Sequence, residues 1–166
     1  IPSLQGLLPQ AVAVTAGTLP QPMLHWKAKD LRLATFICYE AVLPQHVRAV
    51  SAQGADILVN ITNDGWFHGT ALPEQHLRFA VLRAVESRKW LLRCANSGIS
   101  AVVAPDGTIV GRLEEGQRGV LLSSVEPSRA RTIYLAVGDR AAWNSAGSCG
   151  ACWSMKTIWT ISPQPS

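Results

Sequence analysis

The order of segments along this chain predicts an α/β layered domain. Three observations carry that expectation. Strand-like and helix-like runs alternate through the first half, a hairpin and a further strand-like run follow, and 166 residues with 48% hydrophobic content suffice to bury a core. A charged fraction of 16% excludes a disordered acidic or polyampholyte chain.

Residues 1–26 are apolar but punctuated by Pro2, Pro9, Gly17, Pro20 and Pro22, so they read as loop and short extended pieces, with a short strand in Met23–Trp26. Lys27–Asp30 is a polar turn. Leu31–Ile37 alternates, is rich in strand formers, and runs straight into Cys38, Tyr39 and Glu40. Val42, His46, Ala49 and Val50 then fall at helical spacing across residues 41–53, with Gly54 as a C-terminal stop. Ile57, Leu58 and Val59, closed by Asn60, form the continuous apolar run of a strand buried on both faces.

Residues 63–73 concentrate Gly, Asn, Asp and aromatic side chains in a loop. A helix is expected from Glu74 to about Arg93, because Leu77, Ala80, Val81, Ala84 and Val85 make one apolar stripe. Ile99–Val103, the turn Ala104–Gly107 and Thr108–Val110 read as a hairpin, and Gly119–Val125 as a last strand. After Pro127 the pattern decays.

Fifteen Lys and Arg against eleven Asp and Glu give a net charge of +4, and the basic residues are spread out, so nothing asks for nucleic acid. No run of apolar residues is long enough for a transmembrane helix. Cysteines stand at 38, 94, 149 and 152, too few for a disulfide framework in a chain of this length. Cys149 and Cys152 form a CxxC pair, but as half a zinc site it lacks a second half, and as a redox motif it lacks a strand leading into a helix.

Chemistry is expected first at Cys38. A cysteine where a buried strand turns into a helix is rigidly held, exposed at the sheet's carboxyl edge, and close to backbone N–H groups that can stabilise an oxyanion. A thiol is a weak nucleophile unless a base or cation stands near it. The alternative, a small buried hydrophobe, stays open. The loop Asn60–Phe67 ends the next strand, so in an open sheet it faces the same crevice. Asn63 and Asp64 are equally suited to turn hydrogen bonds, and Trp66 and Phe67 to loop packing. His76 and Glu86 on the long helix read as surface or packing groups.

Five blocks carry a resemblance: Ile37–Glu40, Ala55–Phe67, Glu74–His76, Arg83–Glu86 and Ala95–Ser100. In this order and spacing they resemble the carbon–nitrogen hydrolase (nitrilase) superfamily, over roughly residues 1–126. Within it the combination is similar to the apolipoprotein N-acyltransferases. The resemblance implies that the chain is part of a four-layer αββα sandwich with a Glu–Lys–Cys catalytic set. Cys38 matches the nucleophile, Tyr39 stands where the oxyanion N–H lies, and Glu40 matches a further important glutamate. Asn63, Trp66 and Phe67 match substrate contacts. The family's general-base Glu and its Lys both fall before Ile1, and Lys27 and Lys29 stand too close to Cys38 to replace the latter.

By the same resemblance the partners are a phospholipid acyl donor and a lipoprotein acceptor, and no metal or organic cofactor is implied. The location is a bacterial inner membrane, with the hydrolase-like domain periplasmic and the membrane helices lying outside this chain. Residues 1–128 are expected to be the hydrolase-like domain, N-terminally truncated, and 129–166 an atypical tail. Thr132–Asp139 resembles the approach to the family's final membrane helix, and a truncation or shifted reading frame is expected from about Arg140. That would make the CxxC pair accidental and residues 140–166 poorly packed. Two other readings stay open, an amidase or nitrilase with water as acceptor, and a non-catalytic fragment lacking base and cation.

Overall fold

A computed structural model describes residues 21–139 of the chain. One six-stranded sheet forms its frame, with strands β1 (Leu24–Trp26), β2 (Leu31–Ile37), β3 (Ile57–Thr62), β4 (Leu91–Ala95), β5 (Ser100–Val103) and β6 (Ile109–Leu113) lying side by side in chain order. The pairs β2–β3 and β3–β4 are parallel, and the other three pairs are antiparallel. Two helices make the parallel crossovers, α1 (Pro44–Ser51) between β2 and β3 and α2 (Leu72–Ser87) between β3 and β4. Parallel neighbours require such connections, because a tight hairpin only joins antiparallel strands.

Strand alternation sorts the side chains to two faces. Ala34, Leu58, Leu91 and Val103 stand in register on one face and are fully buried, together with Phe36 and Ala101. Val47 and Val50 of α1 and Leu77, Ala80 and Ala84 of α2 cover them, which makes this the core. The opposite face carries Ile37 and Ile61, each more than half exposed, beside the half-buried Val59 and Leu92. The described residues thus form two layers, helices and sheet, of the expected four.

Several elements differ from the sequence reading. The long helix ends at Ser87 rather than near Arg93, because Arg88 turns left-handed (φ 53°) and closes its C-terminus. Residues 91–95 are then a strand, which Arg93 disguised: its guanidinium is buried, so a charged residue occupies an inward position. The helix expected over 41–53 is a 3-10 turn over Cys38–Val42 followed by α1, which Pro44 starts at its first turn. Gly119–Val125 forms no strand. The segment makes no ladder with the outer edge of β6, which stays unpaired among the described strands, and Val120 and Leu122 are exposed.

Hydrogen bonds continue past the expected boundary at residue 128. Ser128 N–H donates to the Asp56 carbonyl (3.1 Å), and Lys89 Nζ donates to the carbonyls of Ser128 (2.7 Å) and Ala130 (3.3 Å). Arg48 reaches the carbonyls of Tyr134 (3.0 Å) and Ala136 (2.8 Å) in α3 (Ile133–Val137). The loop expected over residues 1–20, the expected poor packing of 140–166 and the Cys149–Cys152 pair lie outside the described residues.

Candidate active site

β2 delivers Cys38 to the carboxyl edge of the sheet, where the chain turns abruptly. Cys38 sits at φ 48°, a left-handed conformation that side-chain-bearing residues seldom adopt. Such a conformation costs on the order of 1–3 kcal/mol and persists only where surrounding structure enforces it. Here the enforcement is visible. His76 of α2 is buried and donates from Nε2 to the Cys38 carbonyl at 2.9 Å. The other ring nitrogen of His76 lies 2.9 Å from Asp64 Oδ1.

Asp64 is itself fully buried, and it accepts from the Thr62 hydroxyl at 2.8 Å and from Arg93 Nη2 at 2.7 Å. Arg93 also donates to the Asn60 side chain and, from Nε, to the Ile99 carbonyl at 3.1 Å. Asn60 in turn donates to the carbonyl of Phe36, which precedes Ile37 and Cys38 on β2 and its turn, at 3.1 Å. An unbroken polar chain thus runs from the sheet interior to the backbone of the candidate nucleophile. Burial pushes the Arg93 guanidinium below its usual value, while the charges of Asp64 and of a Cys38 thiolate act the other way.

The sequence reading missed this network. His76 reads as a surface or packing group, but it stands on the buried stripe of α2 with Leu77, Ala80 and Ala84, and that placement was the available signal. Asp64 is not merely a turn former; it joins three elements. Asn63 does serve the turn, accepting from Gly65 N–H at 3.2 Å and from the Ser97 hydroxyl at 2.5 Å.

The remaining predicted residues divide. Tyr39 (64% exposed) and Phe67 share an apolar cleft of about 190 Å³ beside the Cys38 turn, closed by Val42, Leu72, Gln75, His76 and Phe79. Trp66 is 89% exposed and does not line it. Glu40 folds back on its own strand end. Its Oε2 accepts from the Ile37 N–H at 2.6 Å and lies 3.5 Å from His46 Nε2. The described lysines, Lys27, Lys29 and Lys89, all sit at the amino ends of β2 and β4, the edge opposite Cys38.

Among the described residues, no group of three or more His, Cys, Asp or Glu could hold a metal ion, and no helix is long and apolar enough to cross a membrane.

Known proteins are similar to this chain. A protein named apolipoprotein N-acyltransferase from Pseudomonas aeruginosa is 38% identical over 134 residues, covering 81% of this chain and 25% of that protein. Its namesake from Azotobacter vinelandii is 40% identical over 131 residues, covering 79% and 24%. The chain thus spans about a quarter of the length of these relatives.

Among solved structures, a cysteine-to-serine mutant of a nitrilase-superfamily amidase from Nesterenkonia AN1 superposes with a TM-score of 0.52 at 26% identity, covering 82% of this chain and 51% of that one. A second mutant of the amidase from Nesterenkonia sp. AN1, showing Michael addition of acrylamide at the active-site cysteine, gives 0.51 at 27% identity, covering 82% and 52%. The carbon–nitrogen hydrolase family model matches residues 9–134, which include the Cys38 turn, the polar chain beneath it and the aromatic cleft. The chain belongs to the carbon–nitrogen hydrolase family.

Proposed function

We propose that this chain is the nucleophile-bearing part of an N-acyltransferase that moves a phospholipid acyl chain to the N-terminal amine of a diacylglyceryl lipoprotein. One observation carries the reading: the apolar cleft of about 190 Å³, walled by Tyr39, Phe67, Leu72 and Phe79, opens beside a cysteine whose backbone is locked at a strand-to-helix turn. A short polar substrate has little use for such walls, whereas an acyl chain gains roughly 0.8 kcal/mol for each methylene it buries there. The names of the relatives support the same reading.

In the first step the Cys38 sulfur attacks the ester carbonyl of the donor lipid, and the lysolipid alcohol leaves with a proton. The product is an acyl thioester on Cys38. In the second step the neutral acceptor amine attacks that thioester, the thiolate departs, and the amine's proton passes to a base. Tyr39 N–H serves the oxyanion of each tetrahedral intermediate. Glu40 holds the end of β2 so that the turn keeps its shape, and Asn63, Trp66 and Phe67 contact substrate. The lysine and the general-base glutamate of the family's set belong to sequence outside the described residues.

We place the hydrolase-like unit at 1–128 with 129–166 as its tail, and the whole protein at a bacterial inner membrane with this unit on the periplasmic side.

A second reading, amide hydrolysis with water as acceptor, draws on the amidase neighbours. One experiment separates the two. The full-length protein containing this chain is incubated with phospholipid and a diacylglyceryl-cysteine peptide, and both protein and peptide are weighed by mass spectrometry. The expected result is an acyl adduct on Cys38 that disappears as N-acyl peptide accumulates, with both abolished by Cys38→Ala. The isolated 166-residue chain should give no turnover. Release of free fatty acid or of ammonia from amides, without N-acyl peptide, overturns the acyltransferase reading in favour of hydrolysis.

A further inference from the structure

A second cavity lies far from Cys38. Arg32 lines it near the start of β2, so it sits about 20 Å from Cys38 at the usual rise of about 3.3 Å per strand residue. Its volume is about 370 Å³, and its walls include Arg32, Ser51, Gly54, Lys89, Arg129 and Arg131. We propose that this cavity is a binding site for a phosphate-type anion, recognised by the four cationic side chains and the Ser51 hydroxyl.

Charge is the first support. The four cations face two carboxylates. Asp56 is buried, with Oδ2 accepting from Arg32 N–H at 2.8 Å and Oδ1 from Arg129 Nε at 3.2 Å. Asp30 Oδ2 lies 3.8 Å from Arg129 Nη2. Two positive charges therefore remain uncompensated around one concavity. Arg131 is exposed and makes none of the ion pairs found among the described side chains. Lys89 is only 2% exposed and gives two of its three N–H donors to the Ser128 and Ala130 carbonyls, leaving one for a ligand.

The second support is independent of charge. Ser51 is 1% exposed, lines the cavity, and its Oγ has no hydrogen-bond partner among the described residues, an arrangement that a buried hydroxyl avoids unless something else supplies the bond. The third is a fitted cradle. Gly54 stands at φ +97°, and a Cβ there would come within 2.8 Å of Arg32 Nη1, so only glycine lets that guanidinium lie against the backbone at the cavity wall. Guanidinium groups and a lone hydroxyl together match the oxygen fork of a phosphate better than they match a halide.

The same chemistry is offered by free phosphate and by the headgroup of an anionic phospholipid, and the test distinguishes them. Inorganic phosphate is titrated into the 166-residue chain by calorimetry at low ionic strength. Binding to vesicles of phosphatidylcholine is compared with binding to vesicles of phosphatidylcholine mixed with phosphatidylglycerol. Each is repeated with Arg131→Gln and with Ser51→Ala, neither of which removes a side-chain hydrogen bond from the fold.

Saturable phosphate binding weakened about tenfold by each variant is expected. If only the phosphatidylglycerol vesicles bind, and both variants release them, the anion is a lipid headgroup; if only inorganic phosphate binds, it is a soluble anion. Absence of both, or binding that neither variant changes by more than about twofold, overturns the proposal. Cys38→Ala should leave the binding as it is, so failure here is distinct from failure of the acyl-transfer reading.

Discussion

Replacing Asp64 with asparagine should be among the most damaging isosteric changes available to this chain. The carboxylate is fully buried and accepts from Thr62 Oγ1 at 2.8 Å and Arg93 Nη2 at 2.7 Å, with His76 Nδ1 at 2.9 Å. Asparagine keeps the shape but replaces one carboxylate oxygen with an NH₂ group and removes the negative charge. That charge belongs to the carboxylate paired, among the described residues, with the Arg93 guanidinium, whose side chain is 0% exposed.

Breaking a buried pair by removing one partner costs about 3–5 kcal/mol, because the surviving charge stays buried without compensation. With a urea dependence of about 2 kcal/mol per M, the denaturation midpoint should fall by about 2 M. Arg93→Met alone should cost about as much. The double variant should cost clearly less than the sum of the two, since it removes both charges together. Arg78→Ala, which breaks the exposed 3.5 Å contact with Glu74, is the control and should shift stability by no more than about 0.5 kcal/mol. If Asp64→Asn loses less than about 1 kcal/mol, or if the double variant is strictly additive, the buried pair is not what secures this edge of the sheet.

Two further outcomes follow from the same geometry. Gly98→Ala should destabilise by about 1–3 kcal/mol in thermal melts, because a Cβ there would lie 2.8 Å from both Cβ and Cγ of Asp64 and would overlap its Oδ2, and that side chain has nowhere to move. For Asp56, burial acts to raise the carboxyl, but the Arg32 N–H bond and the Arg129 and Arg32 guanidinium groups outweigh it and hold it below the usual range. A depressed acid contributes stability that is complete above its unfolded value, about 3.9, and disappears as pH falls through the folded value. Urea midpoints measured from pH 6 down to pH 3 should therefore drop more steeply for the native chain than for Asp56→Asn, and parallel curves would remove Asp56 from that account.

Much of the frame was legible in the sequence because it follows from local periodicity. Leu31–Ile37 alternates as a half-buried strand must, Ile57–Asn60 is a continuous run and does form a strand, although the described residues fully cover only one of its faces, and the Leu77–Val85 stripe has helical spacing. The position of Cys38 at the end of the first of these followed from the same reading. Where prediction overran, the cause was a residue whose burial depends on a distant partner. Arg93 looked like the charged end of a helix, and only its contacts with Asp64, Asn60 and Ile99 make an inward-facing guanidinium in β4 tolerable. Gly119–Val125 erred in the opposite sense. Its alternation is strand-like, but a strand must also hydrogen-bond to a neighbour, and this segment does not pair with the outer edge of β6 although that edge is unpaired among the described strands.

By itself, then, the sequence determined the layered α/β class, the order of most elements, the strand-to-helix placement of Cys38 and the family to which the blocks around it point. These rest on interactions within a few residues or on motifs written contiguously in the chain. The tertiary structure alone decided that His76, Asp64, Arg93 and Asn60 form one buried polar chain behind Cys38, that Glu40 turns back toward Ile37 and His46, and that Phe67 reaches the cleft while Trp66 points to solvent. It alone assembled Arg32, Ser51, Lys89, Arg129 and Arg131 around a second cavity. The reason is physical. A polar side chain's partner is set by desolvation and by the packing of parallel strands through helical crossovers, which brings residues dozens of positions apart within hydrogen-bond distance, and no local pattern records which of them will meet.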